Sequence, residues 1–341
     1  MVKIVKRSKL ICSSLFIIIS LFLCSCAKQD YLNDTLPRTG VVIYKFSDTY
    51  MSSMRNTMTS LAEGKLSLEF VDSQNSQSKQ NERVDEFIAK QYKAIAVNPV
   101  ERTAVGNMIE KAKQANIPLV FINREPLADD LFRWEKVYFV GAKAEDSGTL
   151  QGEIVVDYWR ANPSADKNSD GVLQYVMLKG EPGHQDAELR TKYSILAIEE
   201  AGIKTEALVI DTAMWDKLKG QEKMAFYLQQ FGDAIEFVIA NNDDMALGAI
   251  EALKEAGYFS GEKFMPVVGV DALEPGMNAL KEGTLLGTVL NDSVNQSKAT
   301  IELLQLLASD KTPNQDNFSY NITDGKYVWI PYQKFVQINR K

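Results

Sequence analysis

From Thr39 onward, short apolar runs rich in valine and isoleucine alternate with longer segments in which apolar residues recur at helical spacing. The first half contains GVVIYKF, KLSLEFVDS, AIAVNPV and IPLVFINRE, separated by predicted helices at 50–63, 78–90 and 101–115. The second half runs from KVYFVGA to LLGTVLND, with predicted helices at 145–160, 186–201, 216–231 and 244–256 and a last helix at 293–308. Continuous apolar strands are typical of parallel sheets buried on both faces, so an α/β protein is predicted. The strands outnumber those of one compact sheet, and two sheets are expected.

Polar residues gather at the predicted carboxyl ends of these strands. They are Asp48, Asn98, Asn123, Asn242, Asp271 and Asn291. In open α/β sheets this edge is where ligands bind, so the pattern predicts a shared cleft. The alternative at any single position is that the side chain only caps the following helix.

The motifs of common catalytic and nucleotide sites are absent from the sequence. No G-x-G-x-x-G follows the first strand, and neither G-x-x-x-x-G-K-[ST] nor G-x-S-x-G occurs. A cleft without phosphate-binding glycines favours an uncharged ligand. Catalysis by paired carboxylates is left open by the sequence, with Asp48, Asp186 and Asp271 as the candidates.

The segment KGEPGHQDAELR holds the only histidine of the chain, His184. It stands two residues before Asp186 and six before Arg190. The spacing of Asp186 and Arg190 places both on one face of a helix. An isolated histidine of this kind is either an exposed loop residue or part of a site.

The N-terminus has the pattern of a signal peptide. Four basic residues precede an apolar run, Leu10 to Leu23, that is too short to span a bilayer. The run ends in Leu-Cys-Ser-Cys, which resembles a bacterial lipobox with Cys26 as the cysteine to be acylated. Residues 1–25 are therefore predicted to be a lipoprotein signal peptide and 26–37 a tether, with an ordinary cleaved secretory peptide as the alternative.

Charge and cysteine content narrow the class of protein. Cleavage before Cys26 would remove four basic residues and no acidic one, so the net charge would change from -7 to about -11. Of the three cysteines only Cys26 would remain, which excludes a disulfide framework. Stability must then come from burial, for which a 341-residue chain with 45% hydrophobic residues has enough apolar surface. The acidic balance argues against a nucleic-acid partner.

The segment DKNSDGVLQ has the spacing of the first nine positions of an EF-hand calcium loop. Its candidate ligands are the side chains of Asp166, Asn168, Asp170 and Gln174 and the carbonyl of Val172. Position 12 is Met177 instead of the usual glutamate, so a bound ion would need a carboxylate from elsewhere. The alternative is a polar surface turn that binds no ion.

Several longer stretches carry a resemblance to a known family. They are GVVIYKFSDTYM, DSQNSQSKQNE, KGEPGHQDAELRT, GIKTE, DTAMWD, IANNDDMALGA, VVGVDAL and GTVLNDSVNQSKAT. In this order and spacing, across roughly residues 38–334, the chain resembles the periplasmic glucose/galactose-binding proteins, which belong to the type I sugar-binding proteins that serve ABC importers.

The resemblance implies a sugar site of hydrogen-bonding side chains and two aromatic rings. The hydrogen-bonding residues would be Asp48, Asn123, His184, Asp186, Arg190, Asn242, Asp271 and Asn291. Trp215 would be one ring, and Tyr50 stands where the family usually has phenylalanine. His184 is expected to donate a ring N–H to a sugar hydroxyl. The resemblance also implies that Glu236 is the distant bidentate carboxylate of a structural Ca²⁺ site.

The resemblance further implies two doubly wound parallel-sheet lobes joined by a hinge of three chain crossings. The first lobe would comprise 38–140 plus 293–328, and the second 141–292 plus 329–341, with crossings near 140–142, 291–293 and 329–331. Contacts from both lobes to one ligand would shift the population toward a closed form.

The implied function is capture of D-glucose or D-galactose for an ABC permease by a periplasmic protein tethered through Cys26. We expect a monomer that is not an enzyme. A sensor that presents sugar to a chemoreceptor or another membrane receptor, without transport, is the main alternative. A carbohydrate-active enzyme and a repressor core are less favoured, the latter because of the signal peptide and the missing DNA-binding helices. The sequence does not separate glucose from galactose.

Overall fold

The computed structural model describes residues 36–337. The predicted signal peptide, the predicted acylation site Cys26, most of the predicted tether and the last four residues lie outside this range. Within it, no helix combines the length and the apolar character that crossing a membrane requires.

Strands and helices alternate through the described residues. The strands are β1 (Arg38–Ile43), β2 (Ser67–Asp72), β3 (Ala94–Val97), β4 (Leu119–Ile122), β5 (Val137–Gly141), β6 (Val172–Lys179), β7 (Lys204–Thr212), β8 (Phe237–Ala240), β9 (Val267–Asp271), β10 (Gly287–Leu290), β11 (Tyr327–Trp329) and β12 (Gln333–Val336). The α-helices are α1 (Thr49–Ala62), α2 (Gln77–Ala89), α3 (Gly106–Gln114), α4 (Ala128–Leu131), α5 (Ala144–Ala161), α6 (Gln185–Glu200), α7 (Lys217–Phe231), α8 (Asp243–Glu255), α9 (Glu274–Glu282) and α10 (Ser293–Ala308).

The strands form two six-stranded sheets within residues 36–337. The order is β2-β1-β3-β4-β5-β11 in the first sheet and β7-β6-β8-β9-β10-β12 in the second. The two sheets therefore repeat one doubly wound topology, and the predicted fold is confirmed. In each sheet the strand order reverses beside the first strand, β1 or β6, which is where ligands bind in such folds.

Each sheet is covered by helices on both faces. In the first sheet, one face packs against α1 and α10 and the other against α2 and α3. In the second, α7 and α8 cover one face, and α5 and α6 cover the other. All four residues of β3 are fully buried, which is why this strand is a continuous apolar run in the sequence.

The two lobes are each built from separate parts of the chain. β11 returns to pair with β5 in the first sheet, while β12 pairs with β10 in the second. Strands β5 and β11 end at Gly141 and Trp329, one residue beyond the boundaries predicted for the first lobe. β12 is antiparallel to β10, which the expectation of parallel sheets did not include. The reason is that the chain leaves β11 at the carboxyl edge of the first sheet and enters the second sheet at the carboxyl edge of that sheet. β12 must therefore run opposite to its neighbour β10.

Two helices differ from the sequence prediction. The helix predicted at 101–115 begins at Gly106, since residues 101–104 form turns and bends instead, and within them Arg102 donates its Nε–H to the Glu125 carbonyl at 2.7 Å. The short α4 was not predicted, since four residues are too few to show a helical period.

Candidate ligand-binding site between the lobes

The carboxyl ends of the two sheets enclose a small polar cavity, whose space including its opening to solvent is about 380 Å³. Its lining residues are Tyr44, Asp48, Tyr50, Asn123, Arg124, His184, Asp186, Arg190, Trp215, Asn242, Asp271 and Asn291. The ten residues predicted for a sugar site all lie in this cavity. Tyr44 and Arg124 are additional.

A larger groove of about 1310 Å³ lies elsewhere on the first lobe, beside Pro118, Lys136 and Thr312. Pro118 and Lys136 immediately precede β4 and β5, so the groove is at the amino ends of the strands. It brings together few buried polar groups. The smaller interlobe cavity is therefore the candidate site, because buried hydrogen-bonding side chains of both lobes converge on it.

Three cavity residues also cap helices. Asp48 accepts the Met51 N–H through Oδ1 at 2.7 Å, and Asn242 accepts the Met245 N–H through Oδ1 at 3.0 Å. His184 precedes α6 and accepts the Asp186 N–H through Nδ1 at 3.1 Å. These side chains therefore both cap a helix and line the cavity. The polar residues at the strand ends of the sequence reflect both roles.

The cap fixes the state of His184. Because Nδ1 accepts a hydrogen bond, the neutral ring carries its proton on Nε2. Burial, together with the positive charges of Arg124 and Arg190, lowers the pKa of His184 well below its ordinary value. The ring is therefore neutral at physiological pH, with Nε2–H as its available donor.

Arg190 is the centre of a buried charged group on the second lobe. Its Nη2 lies 3.3 Å from Asp186 Oδ2, its Nη1 lies 4.0 Å from Asp271 Oδ1, and Nη1 also donates to the Asn241 carbonyl at 2.8 Å. Burial raises the pKa of Asp186, and that of Asp271 more strongly, while Arg190 acts in the opposite direction on both.

The two predicted aromatic rings come from different lobes. Tyr50 lies in α1, and Trp215 follows β7. A Cβ atom at Gly180 would lie 2.0 Å from the Trp215 ring, so glycine is required for the ring to reach the cavity. The His184 ring packs edge-on against Trp215 with ring centroids 5.1 Å apart. The Tyr50 hydroxyl and Trp215 Nε1 are buried without a hydrogen-bond partner.

Tyr44 and Arg124 are the cavity residues that the sequence analysis missed. The Tyr44 hydroxyl donates to Asp48 Oδ2 at 2.6 Å, and the Arg124 guanidinium lies 3.7 Å above the Tyr44 ring centroid. Arg124 Nη2 also donates to Glu181 Oε2 at 2.9 Å, across the two lobes. The available signals were that Tyr44 directly follows a strand and that Arg124 is next to Asn123.

The amide residues of the cavity are oriented by their neighbours. Asn98, one of the predicted strand-end residues, does not line the cavity but donates its Nδ2–H to Asn123 Oδ1 at 3.2 Å. Asn291 accepts from Gln296 at 2.6 Å, and its Nδ2 lies 3.4 Å from Asp271 Oδ1. Asn123 therefore keeps its amide N–H groups free for the cavity.

Carboxylates outnumber guanidinium groups in and around the cavity by four to two. Asp48, Asp186 and Asp271 contribute carboxylates, whereas Arg190 and Arg124 contribute positive charge. The positive charge of Arg124 is offset by Glu181, so no net positive charge is left for an anion, and burial raises the pKa of Asp186 and of Asp271, which disfavours their negative forms. The arrangement suits a neutral ligand with several hydroxyl groups.

The predicted metal loop lies at the amino end of β6, away from the cavity. Glu236 is fully buried, and its two carboxylate oxygens accept the backbone N–H groups of Lys167 and Gln174 at 2.6 and 3.0 Å. Asp170 accepts from the side chains of Asn168 and Gln174, both at 2.9 Å. Glu236 therefore reaches the loop, although it is distant in sequence.

The donor set of this loop fits a hard cation. Gln174 Oε1 is buried and has no hydrogen-bond partner, as expected for an atom that ligates an ion. Within residues 36–337 no group of three or more His, Cys, Asp and Glu side chains has metal-binding geometry. Any ion here would thus depend on amide and carbonyl oxygens as well as carboxylates, which Ca²⁺ accepts. Asp166, Asn168, Asp170, Gln174 and Glu236 and the Val172 carbonyl would hold it.

Two doubly wound lobes that enclose a polar cavity define a class of protein that captures small ligands by closing around them. Comparison with known proteins identifies the family. The family description "Periplasmic binding protein domain" matches residues 39–312. The chain therefore belongs to the periplasmic binding protein family, and its fold is that of the type I members. Membership of a family of binding proteins also confirms the prediction that it is not an enzyme.

Individual relatives agree with this placement. A D-galactose/methyl-galactoside binding periplasmic protein from Haemophilus influenzae is 45% identical over 298 residues, which cover 86% of this chain and 88% of that protein. A ribose import binding protein from Escherichia coli is 32% identical over 219 residues, covering 64% of this chain and 67% of that protein. An ABC transporter solute binding protein from Bacillus halodurans, solved with bound myo-inositol, is 28% identical with a TM-score of 0.74, covering 88% and 94% of the two chains.

Proposed function

We propose that this protein captures D-glucose or D-galactose between its lobes and delivers the sugar to an ABC permease. The observation that carries the proposal is the cavity itself. It combines carboxylates, amides, guanidinium groups and a neutral imidazole with aromatic rings from both lobes. A pyranose needs this combination, because its hydroxyl groups donate and accept hydrogen bonds and its C–H faces pack on flat rings.

The unpaired polar groups support a ligand rich in hydroxyl groups. Arg190 Nε and Trp215 Nε1 are buried donors without a protein partner, and the Tyr50 hydroxyl is a third unpaired group. Each such group costs about 1–3 kcal/mol when it is left unsatisfied. A ligand that pairs with them therefore gains affinity, and one that lacks the matching hydroxyl is rejected.

The relatives favour a sugar or a similar ring as the ligand. The Haemophilus influenzae protein is named for binding D-galactose and methyl-galactoside, and the Bacillus halodurans structure contains myo-inositol. The higher identity is to the galactose-binding protein, 45% against 28%. This order supports a hexose over myo-inositol.

Closure of the two lobes would be the step that couples binding to transport. Arg124 and Glu181 join the lobes at 2.9 Å, and Gln185 donates to Glu125 across the same gap at 3.0 Å. These contacts and those of the ligand form together only in the closed state, so ligand shifts the population toward closure. The permease would then bind the closed, loaded form.

Three further parts of the proposal lie away from the cavity. A Ca²⁺ ion held by the 166–174 loop and Glu236 would stabilise the second lobe without touching the sugar. Acylation of Cys26 would anchor the protein to a bacterial membrane in the periplasm. Presentation of the sugar to a chemoreceptor is compatible with the same closed form.

Isothermal titration of the fragment from Leu36 onward, which keeps the whole of β1, tests the proposal. D-glucose, D-galactose and myo-inositol are titrated into the wild type, His184→Ala and the control Phe226→Ala, whose exposed ring is on α7 outside the cavity. We expect a hexose to bind the wild type and the control alike, and His184→Ala to bind it more weakly. Binding of myo-inositol in preference to both hexoses would replace the proposed ligand, and absence of binding by all three would reject the proposal.

A further inference from the structure

Asp243 has a buried carboxylate directly behind the cavity, although it does not line it. It is the first residue of α8, follows the cavity residue Asn242, and is 3% exposed. Its Oδ2 accepts the Ala272 N–H at 2.8 Å, and its Oδ1 accepts the Thr288 hydroxyl at 2.7 Å. The carboxylate thus connects the start of α8 with the end of β9 and with Thr288 in β10.

The turn that Asp243 holds is strained. Asp271 has a φ of 124° and Ala272 a φ of 52°, both in the region that favours glycine. Side chains in such conformations persist only where the surroundings enforce them, and they concentrate at functional sites. Asp271 is the residue of this turn that enters the cavity.

Space around the carboxylate is provided by two glycines. A Cβ atom at Gly269 would lie 2.2 Å from Asp243 Oδ1, and a Cβ atom at Gly276 would lie 2.2 Å from Oδ2. Any other residue at either position would displace the carboxylate from the turn. The first glycine is in β9 and the second is in α9, so both elements that flank the turn leave room for Asp243.

We propose that Asp243 is a positioning residue of the binding site: by accepting the Ala272 N–H it locks the strained Asp271–Ala272 turn and so fixes the direction in which the Asp271 carboxylate meets the ligand. This inference rests on the proposed function, since it assumes that Asp271 contacts a hexose. The affinity for the hexose then depends on a residue that the hexose never touches.

Substitutions of Asp243 separate this role from a merely structural one. Asp243→Ala leaves the Ala272 N–H without a partner, and we expect hexose affinity to fall about tenfold or more. Asp243→Asn should restore the affinity, because its Oδ1 can accept from Ala272 while its Nδ2–H donates to the Thr288 oxygen. In an Asp271→Ala background, Asp243→Ala should have little further effect on affinity, since the group that it positions is gone.

Thr288→Val is the matched control. It removes the other hydrogen bond of Asp243 but leaves the Ala272 contact, so we expect a lower melting temperature with unchanged hexose affinity. If Asp243→Ala does not fold, Asp243→Ser serves instead, because its hydroxyl is too short to reach both partners and leaves a smaller void. Wild-type affinity in Asp243→Ala or Asp243→Ser, or an equal loss of affinity in Thr288→Val, would overturn the inference.

Amide hydrogen exchange of the ligand-free protein tests the lock without any sugar. We expect the Ala272 N–H to be protected in the wild type and in Asp243→Asn, and to exchange fast in Asp243→Ala and Asp243→Ser. Fast exchange in the wild type would overturn the inference. If the wild type binds no hexose, the proposed function fails on that result alone, and the exchange measurement still decides whether Asp243 locks the turn.

Discussion

The ion pair between Arg124 and Glu181 is predicted to hold the closed state. Arg124 Nη2 lies 2.9 Å from Glu181 Oε2, and the two side chains are only 6% and 14% exposed. Arg124 follows β4 in the first lobe, and Glu181 follows β6 in the second. Opening the lobes would break the pair, so its energy belongs to closure and not to the folding of either lobe. Glu181→Gln keeps the shape and one oxygen acceptor but removes the charge.

The size of the effect follows from what Arg124 retains. Truncating one partner of a buried, hydrogen-bonded charge pair costs about 2–5 kcal/mol at interfaces. Arg124 still donates to the Val100 carbonyl at 3.0 Å and still covers the Tyr44 ring. The lower end of the range therefore applies, and ~2 kcal/mol corresponds to roughly thirtyfold weaker hexose binding. The free energy of unfolding of the open, ligand-free protein should hardly change.

Glu188→Gln is the control for this measurement. Glu188 pairs with Lys179 at 2.9 Å inside the second lobe and is 53% exposed, so the same chemical change there leaves closure untouched. Isothermal titration with the hexose measures affinity, and small-angle scattering with and without sugar measures compaction. Affinity of Glu181→Gln within a factor of about two of the wild type, which is under 0.5 kcal/mol, would refute the reasoning, as would an equal loss in Glu188→Gln.

Three other perturbations have defined outcomes. Tyr50→Phe removes a hydroxyl that has no protein partner in the closed cavity, so we expect isothermal titration to show hexose binding weakened by ~1 kcal/mol, which is about fivefold; unchanged affinity would show that the ligand does not pair with this hydroxyl. A chelator should lower the melting temperature of the wild type, by the equivalent of ~4 kcal/mol if Ca²⁺ had been 1,000-fold above its Kd. The melting temperature of Asp170→Ala should not change on addition of the chelator. An equal decrease in both proteins would exclude an ion bound at this loop. Burial raises the pKa of Asp243 to about 7, with Asp244 and Arg190 as its charged neighbours. Because this pKa is raised, protonated Asp243 stabilises the folded state fully below pH ~4, and this contribution is lost as the pH rises to about 7. We therefore expect the free energy of unfolding in urea to fall less between pH ~4 and about 7 in Asp243→Asn than in the wild type. Parallel curves of free energy against pH for the two proteins would contradict this.

The sequence predicts the framework better than the details of the cavity. Runs such as AIAVNPV locate strands because a parallel strand buried on both faces has no polar positions, and the topology then brings all carboxyl ends to one edge. Tyr44 and Arg124 cannot be assigned to the cavity in this way. Both are near strand ends, but their side chains are directed to the cavity by contacts between residues distant in the sequence, such as that of Arg124 with the Tyr44 ring. Arg124 depends on Glu181 in the other lobe, which no local pattern reveals.

The same limit applies to the turn at the end of β9. The sequence predicts that this turn lies at the site, but it does not predict the strain of its backbone. VVGVDAL identifies Asp271 as a strand-end carboxylate. That its backbone is strained, and that Asp243 holds the turn, follows only from the folded arrangement of β9, β10 and α8. The antiparallel course of β12 is likewise a consequence of the final hinge crossing, not of residue composition.

In the sequence, each polar residue at a strand end could either cap a helix or contact a ligand. In the structure, some of these residues cap a helix and also line the cavity. Asp48 uses Oδ1 for the Met51 N–H and Oδ2 for Tyr44, and Asn242 uses Oδ1 for the Met245 N–H. A cap holds the side chain in one rotamer, so the remaining polar atom is already directed before a ligand arrives, and less conformational entropy is lost on binding. Replacing such a residue with alanine would therefore lower stability and affinity together. A loss of affinity in these variants proves contact with the ligand only if it exceeds the loss caused by removing a cap of similar strength outside the cavity, such as Asp216 at the start of α7.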